Sequence, residues 1–126
     1  MSLVLDSSAI LAVVFDERGA EAVSPRRGGA FVSTVSLAEC LSKMLDRGFG
    51  QAMAQEILHG FGLKAIPFDD KQVWRAGVLR SRYRRANLSF ADCACLALAA
   101  ETGLPALTGD RLWAELDHGI PVEVFR

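Results

Sequence analysis

Four acidic side chains hold the chemistry available to this sequence: Asp6, Glu39, Asp92 and Asp110. Each stands at or within a turn of an expected helix start, and Asp6 and Asp110 each follow a short apolar run that reads as a strand. Taken singly, each is accounted for as a helix cap. Asp6 and Asp110 suit N-caps, and Glu39 and Asp92 suit the far ends of capping boxes opened by Ser36 and Ser89. Taken together they predict something that capping does not, which is convergence. Where strands run parallel, the helix starts that follow them collect at one edge of the sheet, so acids placed there share one crevice.

Carboxylates at close range force protonation on one another or demand a cation, while helix N-termini favour their ionised form. An all-oxygen donor set with no Cys or His beside it suits Mg²⁺, with Mn²⁺ as a substitute, better than zinc. Such an ion deprotonates and orients water and offsets charge on a phosphodiester under in-line attack. The hydroxyls of Ser7 and Thr108 flank the acids, placed to bond the local backbone or an ion's water. His59 and His118 are the only histidines and lie apart, so an imidazole acid and base pair is not expected.

The elements that must position these acids alternate along the chain. Leu3 to Leu5 reads as a buried strand feeding a helix over Ala9 to Phe15. Pro25 to Gly29 is a turn-rich loop, and Ala30 to Ser33 a second strand. Ser36 and Glu39 open a helix carrying Leu37, Leu41, Met44 and Leu45, and Ala54, Ile57, Leu58 and Phe61 mark another beside it. Leu63 to Phe68 holds an edge strand ended by Pro67. Asp69 and Asp70 start a helix expected to turn Trp74 and Val78 inward and its arginines outward. Ser89 and Asp92 open a helix that is apolar nearly all round and hence central. Leu104 to Thr108, a brief helix over Arg111 to Leu116 and a strand over Ile120 to Phe125 complete the chain. This alternation predicts a single α/β domain over residues 1–126, a three-layer α/β/α sandwich around a mostly parallel sheet.

Composition narrows the class further. A chain of 126 residues, 51% hydrophobic and 23% charged, supports one core and one domain. No apolar run reaches the roughly 20 residues of a membrane span. No basic segment precedes Leu3, and Asp6 interrupts what would be the apolar core of a signal peptide, so a cytoplasmic protein is expected. Cys40, Cys93 and Cys95 are odd in number and lack a neighbouring His, and they read as small buried hydrophobes. The net charge of −1 gives no overall pull on nucleic acid, yet Lys71 to Ala91 holds one Lys and five Arg with no acid. That run is either a solvated helix face or a grip on phosphates, with Arg75, Arg82 and Arg85 as candidate contacts to RNA.

The motifs in order are Asp6-Ser7-Ser8 after the first strand, Glu39 at a helix start, Leu88-Ser89-Phe90-Ala91-Asp92 before an Ala-rich helix, and Leu107-Thr108-Gly109-Asp110 after a later strand. Across nearly the whole chain this resembles the PIN-domain nucleases, and among them the VapC-type toxins of toxin–antitoxin pairs. The resemblance implies a Mg²⁺- or Mn²⁺-dependent endoribonuclease with Asp6, Glu39, Asp92 and Asp110 as the metal site. It also implies a homodimer, and inhibition by a VapB-type antitoxin whose tail crosses the groove. Gly109 departs from the family pattern, where a larger residue is common, and Trp113 stands where Phe is frequent.

Two rivals in phosphoryl transfer fit badly. A receiver needs paired acids at the first strand and a late Lys, and no Lys lies beyond Lys71. An aspartate-nucleophile phosphatase needs Asp-x-Asp, and position 8 is Ser. A non-catalytic nucleic-acid or protein binding module of the same fold is the alternative from another class.

Overall fold

Successive residues of each short strand face opposite sides of a single sheet, and that alternation builds two cores. The computed structural model describes residues 2–126. Its strands are β1 (Val4–Leu5), β2 (Phe31–Ser33), β3 (Lys64–Ile66), β4 (Ala106–Thr108) and β5 (Val122–Val124). The helices are α1 (Ser7–Val14), α2 (Ala20–Val23), α3 (Thr34–Asp46), α4 (Gln51–His59), α5 (Asp70–Arg82), α6 (Phe90–Thr102) and α7 (Leu112–Glu115). All strand pairs are parallel, in the order β3-β2-β1-β4-β5. Val4 stands opposite both Phe31 and Ala106, and Leu5 opposite Leu107.

Leu3, Leu5, Val32 and Leu107 face one layer, where they pack with Ile10 of α1, Met44 of α3 and Ala54 of α4. Val4 and Ala106 face the other, with Ala76 and Leu79 of α5, Leu96 of α6 and Trp113 of α7. The helices change layer because the chain changes direction. It runs outward from β1 to β3, returns to the far side of β1 at β4, and right-handed crossovers then place the second set of helices on the opposite face. The three-layer sandwich with a parallel sheet is therefore as the alternation predicts. The reversal leaves a switch point between β2 and β4, directly beyond the end of β1.

Three local readings need correction. Helix α3 begins at Thr34, because Ser33 at the end of β2 is its N-cap and accepts from the Val35 N–H at 3.2 Å. Ser36 is buried one turn inside, and Glu39 is thereby released from any capping duty. On α5, Trp74 and Val78 point outward, 76% and 65% exposed. The inward face is Gln72, Ala76 and Leu79, continued by Tyr83, and Trp74 lies two residues, or about 200°, round from Gln72. Before the loop from Pro25 to Gly29, a stretch with no element expected from its sequence forms α2, and a 3-10 turn over Ser24–Arg26 takes up the start of the loop itself.

Helix α6 is central as expected, with every residue from Cys93 to Ala99 buried. The edge strand β3 precedes Pro67. Among the described residues no helix is long and apolar enough to cross a membrane.

Trp113 is fully buried, and its Nε1 has no partner, so its worth lies in filled volume alone. Trp113→Ala is expected to cost about 3–5 kcal/mol in urea unfolding, whereas Trp74→Ala should stay within about 0.5 kcal/mol. Equal losses at the two tryptophans would contradict the orientation of α5.

Candidate active site

Asp6 ends β1 at the switch point, where the following residues turn at once into α1. Although it occupies the N-cap position of that helix, its side chain makes no capping bond. Instead Oδ2 accepts hydrogen bonds from the Ser8 hydroxyl at 2.6 Å and the Thr108 hydroxyl at 2.9 Å. Its backbone N–H donates to the Leu107 carbonyl at 3.0 Å, so the ends of β1 and β4 are tied by both main chain and side chain. Ser8 Oγ in turn accepts from the Gly109 N–H at 2.9 Å, and Thr108 Oγ1 from the Asp110 N–H at 3.1 Å. Gly109 is held within this network through its N–H.

The other acids approach from separate elements. Glu39 projects from α3, and its Oε1 accepts from the Ser7 hydroxyl. Lys43, one helical turn on, lies 3.8 Å from its Oε2. Asp92 completes the capping box of α6: Oδ2 accepts from the Ser89 N–H at 2.9 Å while its own N–H donates to Ser89 Oγ at 3.1 Å. Asp110 Oδ1 accepts from the Leu112 N–H at 3.0 Å. The capping reading is thus literally true of Asp92, and Asp110 bonds the start of α7.

Those bonds use only one oxygen of each acid. Asp6 Oδ1, Asp92 Oδ1 and Asp110 Oδ2 have no hydrogen-bond partner among the described residues, and Glu39 Oε2 has only the distant Lys43. The four charges also act on one another. Burial pushes the Asp6 carboxyl up to about 6, with the charges of Asp92 and Glu39 adding to the rise against the hydroxyl bonds that lower it. Asp92 is raised as well, chiefly by burial, with Glu39 and Asp110 contributing. The structure therefore brings all four acids into one electrostatic neighbourhood. As they stand, no three His, Cys, Asp or Glu side chains among the described residues converge on a single ion position. The donor set nevertheless suits a hard cation: it is all oxygen, with an uncommitted atom on each acid and a mutual repulsion that a cation would relieve.

The candidate arginines lie elsewhere. Arg75 pairs with Glu101 at 3.2 Å, nine residues along α6 from Asp92, or about 13 Å of helix. Arg82 pairs with Asp117, in the loop that enters β5 at its N-terminal end, the sheet edge opposite the acids. Arg85 falls outside α5, in a 3-10 turn over Arg84–Ala86. An absence of acids along the sequence did not mean an absence of acids in space, and Arg75 and Arg82 are engaged away from the acidic crevice.

The basic groups near the acids are Lys43, 3.8 Å from Glu39, and Arg18, Arg111 and Arg126, which line a hollow with Asp110; a second hollow on the other side of Ser8 holds Arg47 with Glu17 and Asp46. They are scattered through the chain, so no local charge run announces them. Ser8 was legible only as part of the Asp6-Ser7-Ser8 motif, yet it joins Asp6 to the Gly109 turn.

Cys40, Cys93 and Cys95 are free and buried, and burial raises their thiols, Cys93 to about 11. His118 is structural: Nδ1 accepts from the Ile120 N–H and Nε2 donates to the Trp113 carbonyl.

Comparison with known proteins places the chain in a family. A family model described as "PIN domain" matches residues 3–119. The chain is similar to a protein named Ribonuclease VapC from Mycolicibacterium smegmatis, with 31% identity over 114 residues covering 83% of this chain and 88% of that one. Among solved structures, it resembles a toxin–antitoxin complex from Klebsiella pneumoniae (TM-score 0.76, 19% identity, 99% of this chain and 98% of that one). It also resembles VapBC-5 of Mycobacterium tuberculosis, a member of the VapBC family of toxin–antitoxin systems (TM-score 0.66, 26% identity, 99% and 98%).

The Asp6 shift has a thermodynamic signature. Between its ordinary value of 3.8 and about 6, the folded protein holds a proton that the unfolded chain has released. The associated stability is fully present below 3.8 and is lost as pH rises through about 6, a swing on the order of 3 kcal/mol. In chelator, the stability of Asp6→Asn relative to the unmodified protein should therefore climb between pH 4 and 6 and then level off. A pH-independent difference in calorimetry would mean that Asp6 titrates normally.

Proposed function

Because the chain belongs to the PIN-domain family, we propose that it is an endoribonuclease toxin that hydrolyses RNA phosphodiester bonds and is held inactive by a cognate VapB-type antitoxin. The observation that carries this reading is the crevice beyond β1, where Asp6, Glu39, Asp92 and Asp110 each keep one oxygen uncommitted. Mg²⁺, with Mn²⁺ as substitute, is the proposed cofactor. When bound, it supplies an activated water and offsets charge on the phosphoryl oxygens.

The chain's own groups have distinct tasks. Ser8 and Thr108 clamp Asp6 Oδ2 and so fix the direction in which Oδ1 points. Ser7 orients Glu39 from the first turn of α1, and the Ser89 box locks Asp92 to the start of α6. Asp110 rides on the turn fixed by Thr108 and Ser8. Fixing one oxygen of each acid leaves a preorganised set whose reorganisation cost is met during folding. Attack by water on phosphorus with departure of the 3′ oxygen leaves 5′-phosphate and 3′-hydroxyl ends. The 2′-hydroxyl takes no part as nucleophile, so preference for RNA belongs to the groove.

The homodimer is part of the proposal, and the mass in solution tests it. An RNA substrate, three free cysteines and the absence of a membrane-length helix among the described residues all suit the cytoplasm.

The test is cleavage of a mixed structured-RNA pool with and without Mg²⁺ or Mn²⁺, with product ends mapped. Cleavage should require the ion, and Asp6→Asn or Asp92→Asn should lower it by about a hundredfold or more. Cutting that survives both substitutions would reject the four-acid site. If no cutting occurs and RNA or antitoxin still binds, the binding-module alternative holds.

A further inference from the structure

Val124 at the end of β5 stands opposite Thr108 at the end of β4, and the Phe125 N–H donates to the Thr108 carbonyl at 3.1 Å. The residues after β5 therefore emerge at the same sheet edge as the acids. Two glycines make room for them. A Cβ on Gly19, which has φ of +93°, would come within 2.7 Å of the Phe125 ring and 3.0 Å of Arg126 Cβ. One on Gly109 would stand 2.7 Å from Arg126 Nε and 3.1 Å from both Cζ and Nη2. Gly109 is the position where the family resemblance leads one to expect a larger side chain. Here its missing side chain is replaced by a guanidinium.

That guanidinium is anchored by one corner. Nη1 donates to Glu17 Oε1 at 3.3 Å and to the Arg18 carbonyl at 3.4 Å. Nε and Nη2, the two nitrogens of its side-on edge, have no partner among the described residues. The pair matches two oxygens of a phosphodiester in bidentate fashion, a geometry that an ammonium does not reproduce. The hollow beside it is lined by Ser8, Arg18, Gly109, Asp110, Arg111 and Arg126, three guanidinia against one carboxylate. Glu17 offsets part of this charge but engages Nη1 alone. Arg126 shares this hollow with Asp110, one of the four acids, so its side-on edge lies at the border of their crevice.

We propose that Arg126 is a positioning residue for the substrate strand: its Nε and Nη2 edge, seated over Gly109, takes a backbone phosphate of the RNA next to the bond that the acids cleave. This rests on the ribonuclease reading above. Arg126 supplies in cis what the α5 arginines do not, a cation at the edge of the crevice.

Binding and turnover together test it. In the Asp6→Asn background, with chelator present, the salt dependence of binding to a fluorescent structured-RNA pool is measured with and without further changes. Arg126→Gln, which keeps the side-chain stem against Gly19, should weaken binding about tenfold and reduce the slope of log K against log salt by about one. Arg126→Lys should restore the slope while recovering only part of the affinity. Gly109→Ala, which keeps the arginine but fills its seat, should weaken binding in the same direction. In the cleaving protein, Arg126→Gln should raise KM about tenfold and change kcat by less than about twofold.

If Arg126→Gln and Glu17→Gln lower the Tm alike and leave RNA affinity and slope unchanged, Arg126 is a tether and the inference is overturned. If RNA binding is unaffected while capture of an acidic partner peptide is lost, the ligand is protein and the inference is again overturned. Cleavage by the unmodified chain with Arg126-independent RNA binding would reject this inference alone. RNA binding that needs Arg126, without any cleavage, would reject the nuclease reading and leave the phosphate grip standing. Absence of RNA binding altogether rejects both.

Discussion

A carboxylate has been placed at the end of the central strand with only 4% of its surface exposed, and much of the structure near it answers to that placement. Burying a charge is costly unless it is hydrogen-bonded, and two hydroxyls from opposite ends of the chain meet the need at one oxygen of Asp6. Those same hydroxyls accept from the backbone of the turn after β4, so satisfying Asp6 also fixes where Asp110 begins. A buried polar network of this kind is sound only if its members are matched, and here Asp6 Oδ1, without a partner among the described residues, is the atom left open toward the other acids. The site resembles a scaffold in which the protein has taken half of each acid and left the other half for chemistry.

Much of this was legible in the sequence because the signals were local. Strand β1 ends in an acid, α6 opens on a true capping box, and α6 is apolar on all sides because it is covered on all sides. Strict alternation of strands and helices implied a parallel sheet, and a parallel sheet has one edge where helix starts gather. Four acids at those starts could then be foreseen as neighbours before any contact was known.

What was not legible depended on space. The Ser-x-x-Glu pattern at Ser36 mimics a capping box, but the chain already turns at Ser33, where β2 runs out. On α5 the large apolar residues Trp74 and Val78 face outward because the close approach of α6 selects the smaller Ala76 and the bonded Gln72. Arg75 and Arg82 look unopposed in sequence, yet Glu101 and Asp117 reach them from elsewhere. The cations that border the crevice come from positions 18, 43, 111 and 126, a set no window along the chain would collect.

The tie between Asp6 and Thr108 spans 102 residues of chain, and the β1–β4 ladder it accompanies closes over a similar length. Contacts so distant in sequence form late, after nearer crossovers have been made, because loop closure must precede them. During synthesis Asp6 emerges 102 residues before the Thr108 hydroxyl that completes its surroundings. Until β4 follows it out, Asp6 is without the Thr108 clamp and water takes that hydrogen bond. The crevice therefore closes around Asp6 only after β4 has left the ribosome, so its arrangement of acids belongs to the folded chain and not to its early segments.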